Sequence, residues 1–542
     1  MKRAVLVAVY LFTYALAYGG SSPNVPIYDR IYRDIDRLVA AGLIKDAVYG
    51  QRPWSRSEIA RMIAQARRLY NEKGGVSSDD WNMTTAIMAD YLIEQLESEY
   101  RAELAGGGAV RLHWIEEATA EAIYLDSPYR QVPANNGVGQ INAAINPLIS
   151  NREGRHYADG GTFALESVHW AALSKYFSVY AQPRLEGLVL DEGSSEADVR
   201  AQLLYGKFTL GNLELEVGRD SLIWGSGEHG GVLASHNSRN LDMVKVSNDS
   251  PFLHPWIFKY LGPSKYTFFV ANLGASYVLS KAYLYGLAAS FKPAPFLEIG
   301  FEHQITIGGE GAPDFDFGDL VKEFFLYRGD IYGQNLADHR VGINVRAQIP
   351  QLHNAVIYGE GVFEDLGKES FWPQFTQQMG FLSGLYFPLL TSDGSDDLRI
   401  EYDHIPAAYG RHGIWTAGLT EDGVFRGGEL GPDGHGIHMT WGHIFPSGAL
   451  WESGVHYENR DSNIYTASRS SSGGPNEIIE VEDRQSENRV RATTSLEWRT
   501  HERFTLRTEF GYERVWDFDF KPGADRNNFL AAVSLRWHPG FK

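Results

Sequence analysis

Arg219, Asp220, Trp224, Glu228, His229, Asn237 and Arg239 fall in one short span that also carries Gly218, Gly225, Gly227, Gly230 and Gly231. Carboxylates, guanidiniums, an imidazole, a carboxamide and an indole this close together admit four chemistries. Ser221 and Ser226 beside Asp220, Glu228 and His229 are the side-chain types of a serine hydrolase, but neither serine sits on the strand-turn-helix elbow that exposes such a nucleophile. Gly225, Gly227 and Gly230 match a dinucleotide fingerprint by spacing, yet loop residues follow, not the helix whose N-terminus would receive a pyrophosphate. His229 and His236 with Asp220 and Glu228 carry metal-ligating atoms, without the spacing that sets two of them on one helix face. No metal, cofactor or catalytic residue is expected. The fourth chemistry is carbohydrate recognition, which needs planar polar side chains for hydroxyls and a flat ring for sugar CH groups. The alternative is that Arg219 and Asp220 form a charge network that holds the loop, with Trp224 as packing.

A second constellation holds Glu360 and Glu364, which share a strand face opposite Asn344 and Arg346 if Pro350 begins a hairpin. Paired carboxylates perform acid-base chemistry on glycosides; facing carboxylates and arginines also line barrel interiors, and that is the expectation here. The loop Asp314 to Asp319 offers oxygen ligands but lacks the spacing and closing glutamate of a calcium loop.

The elements that must position these groups are strands. Phe504, Leu506, Phe510 and Tyr512 alternate with Arg507, Glu509 and Glu513, and Leu398-Arg399-Ile400-Glu401-Tyr402-Asp403 repeats the pattern. Period two sends neighbours to opposite faces of a strand, one suited to lipid and one to water. Lys2-Arg3, the apolar run Ala4 to Leu16 and Ala15-Leu16-Ala17 read as a cleaved export signal over residues 1–17. Beyond it no apolar run reaches the roughly 20 residues of a spanning helix, although 43% of the chain is hydrophobic and 13% aromatic. The absence of cysteine rules out thiolate metal sites, disulfides and a lipidated cysteine. A net charge of -19 argues against nucleic acid as a partner.

Residues 18–105 read as helical. Ile27, Ile31, Ile35 and Leu38 recur at helical spacing, Ser55 and Glu58 form a capping box, and Met88, Tyr91, Leu92, Leu96 and Tyr100 mark a third segment. These helices are expected to plug the periplasmic end of a barrel, a separate tethered bundle being the alternative. Residues 106–542 divide into an all-β transmembrane barrel of about 18 antiparallel strands with short periplasmic turns and long extracellular loops. Turns are expected at Lys292 to Pro295, Pro350 to Asn354 and Thr500 to Arg503, and long loops near 126–159, 308–338, 403–436 and 459–488.

Gly218-Arg219-Asp220-Ser221-Leu222-Ile223-Trp224-Gly225-Ser226-Gly227, followed by Ser235-His236-Asn237-Ser238, resembles the signature of the capsule assembly Wzi family of outer-membrane proteins. Gly50-Gln51-Arg52-Pro53-Trp54-Ser55-Arg56, Phe291-Lys292-Pro293, Gly308-Gly309-Glu310-Gly311, Ile357-Tyr358-Gly359-Glu360 and Gly384-Leu385-Tyr386-Phe387-Pro388 agree in the same order. The resemblance implies a barrel of about 18 strands with an N-terminal helical plug in the outer membrane of a Gram-negative bacterium. It also implies a lectin-like role, tying capsular or exopolysaccharide to the cell surface. The expected surroundings are outer-membrane lipid, the polymer and other export components, with the barrel a monomer. Glu310 joins Arg219, Asp220, Trp224, Glu228, His229, Asn237, Arg239, Glu360 and Glu364 as candidates for polymer contact or a lumen network. A polysaccharide export channel, a general porin and a barrel hydrolase are the alternatives.

Overall fold

The computed structural model describes residues 20–77, 82–106, 110–190, 193–229, 231–274, 279–324, 336–364, 378–468, 477–501 and 503–540. The export signal read at 1–17 lies outside them, as do Gly230 and Asp365.

Alternation along the chain produces a closed sheet of 18 antiparallel strands. The first strand, Arg111–Asp126, pairs with Gly160–Ala172 on one side and with the last strand, Arg526–Trp537, on the other, in the register Ala118 to Trp537 through Asp126 to Phe529. Closure satisfies every edge, which a sheet in hydrocarbon requires. Phe504, Phe510, Tyr512, Phe529, Val533, Leu535 and Trp537 point outward and stay exposed, whereas Glu513, Glu458 and Glu401 point inward and are buried. Among the described residues no helix is long and apolar enough to cross a membrane. The architecture is that of an outer-membrane barrel.

Among the described residues, four helices precede the barrel: α1 (Ile31–Ala40), α2 (Arg56–Glu72), α3 (Met83–Glu99) and α4 (Arg101–Leu104). Ile35, Leu38, Ile59, Ile63, Ala66, Leu92, Ile93 and Leu96 meet in a common core. Tyr91, expected in the apolar stripe, is instead exposed, and the third segment breaks at Tyr100. The capping box is half made. Ser55 Oγ accepts from the Glu58 N–H at 2.9 Å, but the Glu58 carboxylate turns away to the strand Ser264–Asn272, where Lys265 Nζ donates to it at 2.6 Å. A buried ammonium outcompetes a backbone N–H for that carboxylate because a charged donor bonds more strongly. Arg37 reaches Asp397 at 2.8 Å, Arg346 reaches Asp36 at 3.1 Å and Arg61 reaches Asp249 at 3.1 Å. These contacts join the helices to the wall at the end where the strand connections are short.

The turn expected at Lys292 to Pro295 is shorter than read. The strand Ala282–Ala294 runs through Lys292 and Pro293 and pairs with Leu297–Gly308, leaving Pro295 and Phe296 as the connection. The ladder shifts register between Phe291 and Ala294, an irregularity of the kind that tolerates a proline without an N–H. At the opposite end the long connections fold inward. Arg130–Gln131, Ala144–Ile145, Thr420–Glu421 and Val424–Phe425 form a four-stranded sheet. Ile141, Ile145, Trp224, Phe269, Tyr409, Trp415 and Phe425 pack into one apolar core beneath it.

Candidate functional site

Between the helical segment and the in-folded loops lies a cavity of about 520 Å³. Its polar lining follows from strand parity: residues that alternate with the lipid-facing ones have no other direction to point. Arg399 meets Glu228 at 3.4 Å, Arg33 meets Glu452 at 2.5 Å, Arg152 meets Glu509 at 2.6 Å, Arg155 meets Glu166 at 3.1 Å and Arg536 meets Glu117 at 3.2 Å. The Arg399 guanidinium holds the Glu228 carboxyl down at about 2, while burial lowers the loop residue His236 to about 4. Glu228 thus stays anionic and His236 neutral at physiological pH.

Of the ten candidates read from sequence, Glu228 and His229 open onto this cavity. Glu228 sits at its margin, with 45% of its side chain exposed. The Glu228 and His229 N–H groups donate to Glu401 at 2.8 and 3.1 Å, which anchors the glycine-rich loop to the wall. Asp220 is buried in an internal network, accepting from Asn24 Nδ2 at 2.7 Å and pairing with Lys245 at 3.3 Å.

Arg219 lies outside the lumen, so it takes no part in the lumen network that is one expectation for it. Leu215 and Val217 are exposed and share parity with Arg219, which therefore points outward too. It holds Asp242 through two hydrogen bonds of 2.8 and 2.7 Å, and Arg239 reaches the same carboxylate at 3.2 Å. Trp224 offers no ring face to a sugar: it is wholly buried, 5.5 Å from Phe269 between ring centroids. Asn237 donates to the Phe425 carbonyl at 3.0 Å and accepts from the Asn151 N–H at 3.2 Å, so it splices two in-folded loops.

The Pro350 hairpin forms and sets Asn344 opposite Glu360. Glu360 and Glu364 nevertheless serve separate loops. Glu360 accepts from the Leu233 N–H at 3.1 Å, and Glu364 accepts from the Gly410 N–H at 2.8 Å and pairs with Arg340 at 3.1 Å. Arg346 turns to Asp36. Glu310 is exposed and pairs with Lys281 at 2.5 Å, away from the cavity lining. The spacing of one loop did not reveal Arg33, Arg152, Arg155 or Arg399, which reach the cavity from distant parts of the chain; only the inward parity of Arg399 within Leu398-Arg399-Ile400 hinted at one of them. Two groups of described side chains bring metal-ligating atoms together: His229 with Glu429, His438 and His456, and His156 with Glu186 and Asp198.

A family model described as capsule assembly protein Wzi matches residues 130–530. No curated protein matches the sequence. Among solved structures, Escherichia coli Wzi, an outer-membrane protein involved in group 1 capsule assembly and a carbohydrate-binding β-barrel, aligns with a TM-score of 0.66 at 15% identity. That alignment covers 96% of this chain and 100% of the other. OprD of Pseudomonas aeruginosa aligns with a TM-score of 0.42 at 9% identity over 80% of this chain and 96% of its own. The family match spans most of the barrel, including the loops that fold into it, and the chain belongs to the capsule assembly protein Wzi family.

Proposed function

We propose that this chain binds a surface polysaccharide at its loop-covered end and holds capsule or exopolysaccharide at the outer membrane, without catalysing a reaction. The observation that carries this reading is the filled lumen. The helical segment and the in-folded loops meet inside the barrel, where Gln51 and Arg52 pair antiparallel with Trp224 and Ile223. An export channel or porin needs a continuous aqueous path, which this ladder crosses; a binding protein needs a rigid platform, which it supplies. Family membership and the carbohydrate binding of the Escherichia coli relative support the same reading. The helical segment then serves as the plug, and the barrel works as a monomer beside other export components.

An acidic polymer would be repelled by a chain of net charge -19 unless cationic groups gather locally. Arg152, Arg155 and Arg399 line the cavity beside Glu228, and their guanidiniums are the cationic groups that would meet sugar hydroxyls or carboxylates there.

Purified protein should bind polysaccharide from the strain that makes it and show no porin-scale conductance in planar bilayers. Conductance without binding overturns the reading. In cells, deletion should leave polymer made but shed into the medium; polymer trapped in the periplasm would select the export channel instead.

A further inference from the structure

We infer that His229, Glu429, His438 and His456 form a site for one borderline divalent metal ion, zinc by its chemistry, where two in-folded loops meet the barrel wall. His438 and His456 are cross-strand partners on Gly434–Ile444 and Leu450–Arg460, with their Nδ1 atoms 3.1 Å apart. His229 comes from the loop after Leu213–Asp220 and Glu429 from the loop before Gly434–Ile444. Glu429 Oε1 lies 3.4 Å from His229 Nδ1 and 3.7 Å from His438 Nδ1, and one ligand atom from each of the four residues falls within 4.8 Å of all the others. A tetrahedral zinc site with bonds of about 2.0 to 2.1 Å has ligand-to-ligand edges of roughly 3.3 to 3.4 Å. The separations of 3.1, 3.4 and 3.7 Å are close to that size, and the remaining ones lie within 4.8 Å.

Hydrogen bonding sets the lone pairs. His438 Nε2 is 3.1 Å from Asp403 Oδ1 and His229 Nε2 is 3.3 Å from Thr440 Oγ1. When the outer nitrogens carry their protons toward those oxygens, both Nδ1 atoms are left to face the Glu429 carboxylate, on whose Oε1 the Arg491 guanidinium also rests. A carboxylate behind a ligating imidazole is the usual support of such a ligand. Three imidazoles and one carboxylate suit zinc, and four protein ligands close its shell, which assigns the ion a structural role. It would staple two loops to the wall. His229, Glu429 and His456 line the cavity, which provides the ion's entry path.

The proposal stands apart from the polysaccharide reading, because its test needs no polymer. Full-length protein in detergent, stripped with EDTA, is titrated with cobalt(II) and then zinc(II). One equivalent of cobalt should give the visible bands of tetrahedral coordination, zinc should displace it, and the unfolding temperature should rise. His438→Asn and His456→Asn should abolish the bands, Asp403→Asn should weaken affinity by about tenfold, and His353→Asn, on an exposed turn, should change nothing. Wild-type protein without stoichiometric zinc and without tetrahedral bands overturns the proposal even if the variants fail to fold. Zinc held equally well by the histidine variants overturns it too. In either case the four side chains are held by their hydrogen bonds and by Arg491 on Glu429 instead of by an ion.

Discussion

Gln51, ahead of the second helix, and Trp224, in the glycine-rich loop, are antiparallel partners inside the barrel, and the Gly225 N–H donates to the Gly50 carbonyl at 3.1 Å. Two segments that enter from opposite ends of the lumen thus share a ladder at its centre. The glycines flanking Trp224 serve backbone geometry. Gly225 has a φ of +87°, and a Cβ there would stand 2.3 Å from Glu360 Oε2.

Gly225→Ala should therefore destabilise the protein by about 2 to 4 kcal/mol, from left-handed strain plus displacement of a buried carboxylate. Gly211, with a φ of +63° and no atom within 4 Å of its virtual Cβ, isolates the strain: Gly211→Ala should cost about 1 to 2 kcal/mol. Thermal unfolding in detergent compares the two, and equal losses would mean the Glu360 contact is slack.

Lys265 and Glu58 form a buried pair at 2.6 Å. Lys265→Met leaves the Glu58 carboxylate without its cation, a change that costs about 3 to 5 kcal/mol for buried pairs. Loosening of the helices should appear as faster proteolysis within residues 20–104 and as ion conductance in planar bilayers. The double variant Glu58→Gln, Lys265→Met should recover most of the loss.

Arg219→Ala should behave as a surface change. Its bidentate pair with Asp242 lies on the outer face, where the Asp242 side chain is about half exposed, so the cost should stay below about 1 kcal/mol. Polysaccharide binding should be unchanged; a large loss of binding would return Arg219 to the site.

Burial raises the loop carboxyls Glu421 and Asp433 to about 7, against the attraction of Arg426 on the first and the hydrogen bond from Tyr465 on the second. Folded values above the unfolded ones of about 4.3 and 3.9 mean that the folded state holds these protons more tightly. Their stabilisation is complete below about pH 4 and is lost as the pH rises through 7. Hydrogen exchange in residues 406–433 should accelerate, beyond its intrinsic pH dependence, between pH 5 and pH 8. Glu421→Gln and Asp433→Asn should flatten that profile.

Much of the fold was legible because period-two alternation is a local property. Phe510, Tyr512 and Glu513 declare their faces without knowledge of their neighbours, and enough such runs imply closure, since no strand edge survives in lipid. The same parity placed Arg219 outward with Leu215 and Val217, but the polar loop signature that follows drew it into the candidate set. Helical spacing likewise announced α1 and α2 from their apolar stripes. What a loop does after leaving the wall has no period to read. Whether Trp224 met sugar or Phe269, and whether Glu360 and Glu364 acted together or tied down separate loops, depended on what filled the space opposite them. His229 lies far from His438 and His456 in the sequence, and neither loop length nor residue type encodes their meeting. Closing the barrel brings those strands to one side of a common lumen, and packing the loops into that lumen decides which side chains touch.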